Sequence, residues 1–238
     1  VGRVPWLAMM QHPPFWKLLR LIVAWSVAYG GLTAFTVAFL KVKAGLPEGE
    51  ILMISSVGFL GGLSSLWIIG RRLDRIGSKP VMSAALVLWL CVMGGWIAIA
   101  GRIMPASLLG VLVLQFLMGL LAALMNTSMN RLAMAVVPVM GRNHFFALYS
   151  VLGSVTLGLA PVGWGILIDL VGEHHWQWLA LDWNRYTVFF GGASVAFAVT
   201  LLLARRLQEP EAASMEELLR ELLIQEPQKF LLRFWPRN

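Results

Sequence analysis

Pro80–Gly101 reads PVMSAALVLWLCVMGGWIAIAG, twenty-two residues without a charge. A helix needs about 20 apolar residues to cross the hydrocarbon core of a bilayer. Five further charge-free apolar stretches flank it: Leu21–Leu40 and Ile51–Gly70 before, then Ile103–Asn130, Phe145–Ile168 and Tyr186–Ala204 after. Lipid supplies no partner for a peptide N–H or C=O, so spanning segments pair their backbone internally and form helices. The predicted fold class is therefore an all-α integral membrane protein with six transmembrane helices.

Composition agrees with this reading. Apolar residues make up 58% of the chain, charged residues 13%, and the mean hydropathy is +0.74. Soluble domains hold about half and a quarter respectively. A net charge of +7 raises nucleic acid as a partner, but the basic residues fall in the connections between spans rather than on one patch. That distribution belongs to a membrane topology, and no nucleic-acid partner is expected. The single cysteine, Cys91, lies within the third span and has no internal disulfide partner.

Orientation follows from counting cations. If both termini share a side, that side carries 15 of the 19 Lys and Arg residues, and the other holds only Lys41, Lys43, Arg102 and Arg185. Short loops rich in Lys and Arg face the cytoplasm. Both termini are predicted cytoplasmic, in a cell (cytoplasmic or inner) membrane. Trp176, Trp178 and Trp183 cluster in the last external loop, where amphipathic rings favour the interface.

Residues 1–17 read as a cytoplasmic lead-in, 18–204 as the bundle and 205–238 as a cytoplasmic tail. In the tail Ser214 and Glu217 form a capping-box pattern. Met215, Leu218, Leu219, Leu222 and Leu223 then recur at helical spacing, predicting an amphipathic helix on the membrane face.

The loop between spans two and three reads Gly70-Arg71-Arg72-Leu73-Asp74-Arg75-Ile76-Gly77-Ser78-Lys79. This resembles the cytoplasmic signature of the major facilitator superfamily of transporters, G-x-x-x-D-R-x-G-[RK]-[RK]. Gly70, Asp74, Arg75, Gly77 and Lys79 match, and Ser78 departs. In chemical terms two glycines allow a tight turn, and Asp74 can pair with a neighbouring arginine or face a helix N-terminus. A contact of that kind can latch one conformation and release in another; the plain alternative is a positive-inside loop with no switching role. The fifth span ends Gly165-Ile166-Leu167-Ile168-Asp169-Leu170-Val171-Gly172, with the spacing of Gly70, Asp74 and Gly77 on the opposite side. Two inverted three-helix repeats produce such an echo, and the halves of this superfamily contain them.

The resemblance runs from about Pro14 to Arg206 and implies one six-helix half of the fold. The basic lead-in, the Val1 start and the long tail point to the C-terminal half. Its expected partner is an N-terminal six-helix half or a second copy of the chain. Gly158–Gly163 resembles a Gly/Pro-rich bend of the family.

The resemblance also implies that the first and fourth spans line a central cavity. Independently, Ser26, Tyr29, Gly30, Thr33 and Thr36 recur on one face of span one, and Gln115, Gly119, Ala122, Asn126 and Asn130 on one face of span four. Polar groups facing lipid are expensive, so these stripes are expected to face protein or water. Ser26, Tyr29, Thr33, Gln115, Asn126 and Asn130 are the candidate substrate-cavity residues, with Tyr29 and Gln115 the foremost. The alternative for the hydroxyls is bonding back to their own helix. Gly58 and Gly62 form a G-x-x-x-G pair whose expected role is close packing. Span six, almost wholly apolar, suits an outer, lipid-facing place.

No Asp, Glu, Lys or Arg lies deep within a span. Such groups mark proton relays and coupling sites, so coupling is expected to reside in the other half or to be absent. His174-His175 are adjacent and point apart, and no metal site, cofactor or enzymatic activity is expected. The reading is transport of a small molecule, secondary active or facilitative, by alternating access. The alternative from a different class is a non-transporting six-span scaffold or assembly factor of the same fold.

Overall fold

The computed structural model describes residues 13–69, 77–136, 142–178 and 180–207. Span one is two helices, α1 (Pro13–Tyr29) and α2 (Leu32–Val42). Spans two to five are α3 (Glu48–Ile69), α4 (Ser78–Ala100), α5 (Leu108–Val136) and α6 (Arg142–Val171). A two-stranded antiparallel hairpin, β1 (Trp176–Trp178) with β2 (Leu181–Trp183), leads into span six, α7 (Arg185–Arg205). All six spans are long and apolar enough to cross a membrane. The tail helix expected from Ser214 to Leu223 lies outside the described residues.

Packing shows the internal repeat. α3 lies along α5, and α6 lies along α1; α4 packs on α5, and α7 on α1; α4 and α7 pack on each other. Exchanging the first three spans for the last three maps each of these contacts onto another or onto itself. Three is odd, so the second set enters from the opposite face, and the repeats are inverted.

The break in span one is absent from the hydropathy pattern, and its cause is a glycine pair. Gly31 adopts φ +88°, a left-handed conformation open to glycine at little cost. Gly30 sits where α1 crosses α6: a Cβ there would lie 2.5 Å from Ala160 Cβ and 3.3 Å from the Leu157 carbonyl oxygen. Pro161 continues inside α6 without an N–H, which leaves that Leu157 carbonyl without its helical donor. The helix nevertheless runs through Gly158–Gly163 without interruption.

The close approach expected of Gly58 and Gly62 belongs chiefly to Gly58. At Gly58 a Cβ would meet Gln115; at Gly61 and Gly119 it would run into the backbones of Phe116 and Gly58; at Gly62 the nearest atom is 3.6 Å away. α3 and α5 therefore pack backbone to backbone along Gly58, Gly61 and Gly119. Hydrocarbon gives no hydrophobic drive between helices, so such contact is a main source of attachment.

The core is aromatic. Trp89 stacks on Phe197 at 4.7 Å and Trp96 on Phe190 at 5.5 Å, joining α4 to α7. Trp25 of α1 meets both Trp89 and Phe197. Span six is thus not an outer helix: Phe189, Phe190, Ala193 and Phe197 are fully buried, and its apolar character serves this packing. The outer helices are α3 and α6, with 22% and 11% of their spans buried, against 50% for α4 and 44% for α7. Asn184 fastens the N-terminal end of α7 to the C-terminal end of α4: its amide donates to the Ala100 carbonyl at 2.8 Å, and its Oδ1 accepts from Tyr186 and Thr187 N–H.

Gly119→Ala is expected to lower stability by about 1–3 kcal/mol through overpacking, read as a fall in the thermal unfolding midpoint in detergent. Gly94→Ala, where a Cβ meets nothing within 4 Å, is expected to leave it unchanged or raised.

Candidate functional site

The cavity candidates separate once the spans are packed. On span one Ser26 is 2% exposed and lies inside the bundle. Tyr29 is half-buried, stacked on Trp25 at 5.2 Å and edge-on to Trp89 at 6.0 Å. Its ring thus belongs to the aromatic core. Thr33 is exposed, while Thr36 is buried with no hydrogen bond at its Oγ1. On span four Gln115 is half-buried; its amide covers Gly58, and its Oε1 is enclosed without a partner. Asn126 and Asn130 are exposed. The polar side chains at an open surface are therefore Thr33, Asn126 and Asn130, with Tyr29 and Gln115 one layer behind.

Two positions on α5 escaped the stripe reading. Thr127 is exposed, and its hydroxyl bonds back to the Ala123 carbonyl at 2.8 Å. Ser128 is fully buried, with an Oγ that finds no partner. The run Asn126-Thr127-Ser128-Met129-Asn130 in an otherwise apolar helix was the signal for both. Trp89 likewise carries an indole N–H without an acceptor in the core.

Trp164 is the residue that sequence reasoning missed most clearly. Its indole N–H donates to the Val27 carbonyl at 2.8 Å, the acceptor that Gly31 would have satisfied in a continuous helix. Its ring lies edge-on to Phe189 at 5.4 Å and against Gly31 and Gly192. Beside this crossing an apolar groove of about 450 Å³ opens along Val27, Thr156, Ala160, Gly163 and Trp164.

Of the loop motif, Gly70, Asp74 and Arg75 lie outside the described residues. Gly77 is buried with φ +90° at the N-terminus of α4, and Lys79 is half-buried in its first turn. In the second copy Gly165 packs in α6 with room beside Phe35, Asp169 is exposed, and Gly172 ends the helix with φ +55°. The second glycine of each copy thus takes a positive φ at a helix junction. His174 Nδ1 lies 2.9 Å from the Val171 carbonyl, and His175 Nδ1 3.4 Å from Asp182. Among the described residues no three metal-binding side chains gather.

A model of the Major Facilitator Superfamily matches residues 45–235. The chain belongs to the Major Facilitator Superfamily. It is a multi-pass membrane protein whose general role is transport of a small molecule across a lipid bilayer, and superfamily members are in general transporters rather than enzymes. No curated protein matches the chain at a significant level. The match begins after span one, so the broken helix is a feature of this chain beyond the matched region.

Trp164→Phe keeps the ring and removes the donor. It is expected to cost about 0.5–1.5 kcal/mol, read as a lower unfolding midpoint. Gly31→Ala, forced into a left-handed backbone, is expected to cost about 1–2 kcal/mol; unchanged midpoints for both variants would mean the break carries no constraint.

Proposed function

We propose that this chain is the C-terminal six-helix half of a secondary transporter, which moves a small molecule by rocking against an N-terminal half or a second copy. The observation that carries the reading is the exposure of Thr33 on span one with Asn126 and Asn130 on span four. These spans are partners under the inverted repeat, and both are long and apolar enough to cross a bilayer. Hydrocarbon penalises exposed polar groups, so in this reading these positions meet water or a partner protein. The slight burial of α3 and α6 and the groove beside Trp164 support a second bundle against them.

In this reading Ser26, Tyr29, Thr33, Gln115, Asn126 and Asn130 form the cavity wall and its backing. Thr33, Asn126 and Asn130 touch substrate, Tyr29 and Gln115 support them, and Ser26 contributes only packing. The Gly70, Asp74, Arg75, Gly77 and Lys79 motif is the conformational latch, with Gly165, Asp169 and Gly172 its inverted copy. Residues 1–17 form the link between halves, 18–204 the bundle and 205–238 the tail; both termini are cytoplasmic. The charge-free spans favour uncoupled facilitation, or coupling through the other half. They also keep in play the scaffold reading, which predicts a closed, dry face.

Cysteine accessibility decides between the two. In a Cys91→Ser background, single cysteines replace Thr33, Asn126, Asn130 and, as a lipid-facing control, Val195, which is 65% exposed on α7. With a membrane-impermeant maleimide, the three cavity positions are expected to react at least tenfold faster than Val195→Cys. Equal protection of all four would support the scaffold. The same reagent applied to intact cells is expected to reach a cysteine at Lys43 and not one at Lys17.

A further inference from the structure

We propose that the bundle end formed by α2, α4 and α7 binds the headgroup of an anionic phospholipid in the adjoining leaflet. A pocket of about 440 Å³ opens there, between the C-terminal ends of α2 and α4, the turn that follows α4, and the approach to α7. Phe39 and Ile99 are among its apolar lining, and Lys43, Arg102 and Asp182 among its charged lining.

Four cations occupy this side of the membrane, and two are committed elsewhere. Lys41 pairs with Glu48 at 2.8 Å and Arg185 with Glu173 at 3.0 Å. Arg102 holds Asp182 at a looser 3.6 Å, and His175 shares that carboxylate at 3.4 Å. Lys43 makes no ion pair among the described residues. With histidine neutral, two cations and one carboxylate leave the pocket one positive charge in excess, which suits a monoanionic phosphodiester.

Backbone geometry presents the pair. Lys43 is the C-cap of α2, and Arg102 adopts φ +61°, a left-handed conformation that residues other than glycine seldom take. That turn also thrusts Ile103 and Met104 outward, 58% and 55% exposed. Two large apolar side chains beside a phosphate-binding cation match the boundary between headgroup and acyl chain. A free phosphate would have no use for them, which is why the lipid is the assigned occupant. The hairpin beside the pocket places Trp176 and Trp178 at the surface, and such rings settle at the membrane interface. Asn184, also in the lining, is occupied in capping α7 and is not assigned to the lipid.

The test is native mass spectrometry of the full chain in detergent, with phosphatidylglycerol or phosphatidylcholine added. The many cytoplasmic-side cations also attract anionic lipid, so the readout is a difference between variants. Lys43→Gln with Arg102→Gln is expected to retain one phosphatidylglycerol fewer than the unmodified chain and to weaken that binding step at least tenfold. Lys41→Gln, which removes a committed cation, is expected to change nothing. If the double variant does not fold, Lys43→Gln alone, which breaks no ion pair, is expected to show a smaller loss in the same direction. An unchanged phosphatidylglycerol count in the folded variant overturns the proposal. So does full displacement of that lipid by millimolar inorganic phosphate, which would mark a simple anion site, or equal retention of phosphatidylcholine, which would remove the role of net charge.

Discussion

Hydrocarbon offers a peptide group no hydrogen-bond partner, and the structure is organised around that lack. Each departure from regular helix is answered by a neighbour or lies against one. The carbonyl of Val27, freed by the break at Gly31, takes the Trp164 indole. The Leu157 carbonyl, orphaned by Pro161, lies against Gly30 at the same crossing. Hydroxyls follow the same economy: Ser55, Ser56, Ser64, Ser65, Thr127, Ser194 and Thr200 all return to carbonyls of their own helices. The polar atoms without such an answer, among them Gln115 Oε1 and Ser128 Oγ on α5, therefore stand out against a satisfied background.

The second consequence concerns attachment. Lipid tails are as apolar as leucine, so helices hold together by contact area and close approach rather than by escape from water. Two means appear in this bundle. Glycines bring backbones together where α3 meets α5 and where α1 meets α6. Aromatic rings fill the centre, where α1, α4 and α7 meet around Trp25, Trp89 and Phe197. The inverted repeat distributes both, giving a well-buried middle flanked by two helices with large free faces.

Much of this was legible along the chain. Six spans followed from run lengths, and the family from five residues of one loop, because each property is local in sequence. The polar faces of spans one and four were legible as stripes but not as exposures. Tyr29 and Gln115, the strongest candidates by reach, proved to be partly enclosed, while Thr33 and the two asparagines lie at the surface. A period of 3.6 places residues on one side of a helix and says nothing about which neighbour covers that side. Span six was misplaced for the same reason, since an apolar helix is equally suited to lipid and to a core of phenylalanine and tryptophan. Gly61 surpassed Gly62 because closeness depends on where α5 crosses α3.

By itself, then, the sequence determined that this chain lives in a bilayer, that it holds six spans, and which superfamily its loop signature belongs to. Those properties are set by the cost of exposing charge and backbone to hydrocarbon, a cost each segment meets on its own. Tertiary structure alone decided that span one breaks at Gly30–Gly31, that Trp164 caps the break, which polar residues reach a surface, and that Lys43 and Arg102 share one pocket. Each of these depends on groups from different helices meeting in space: 137 residues separate Val27 from Trp164, and no local pattern links them.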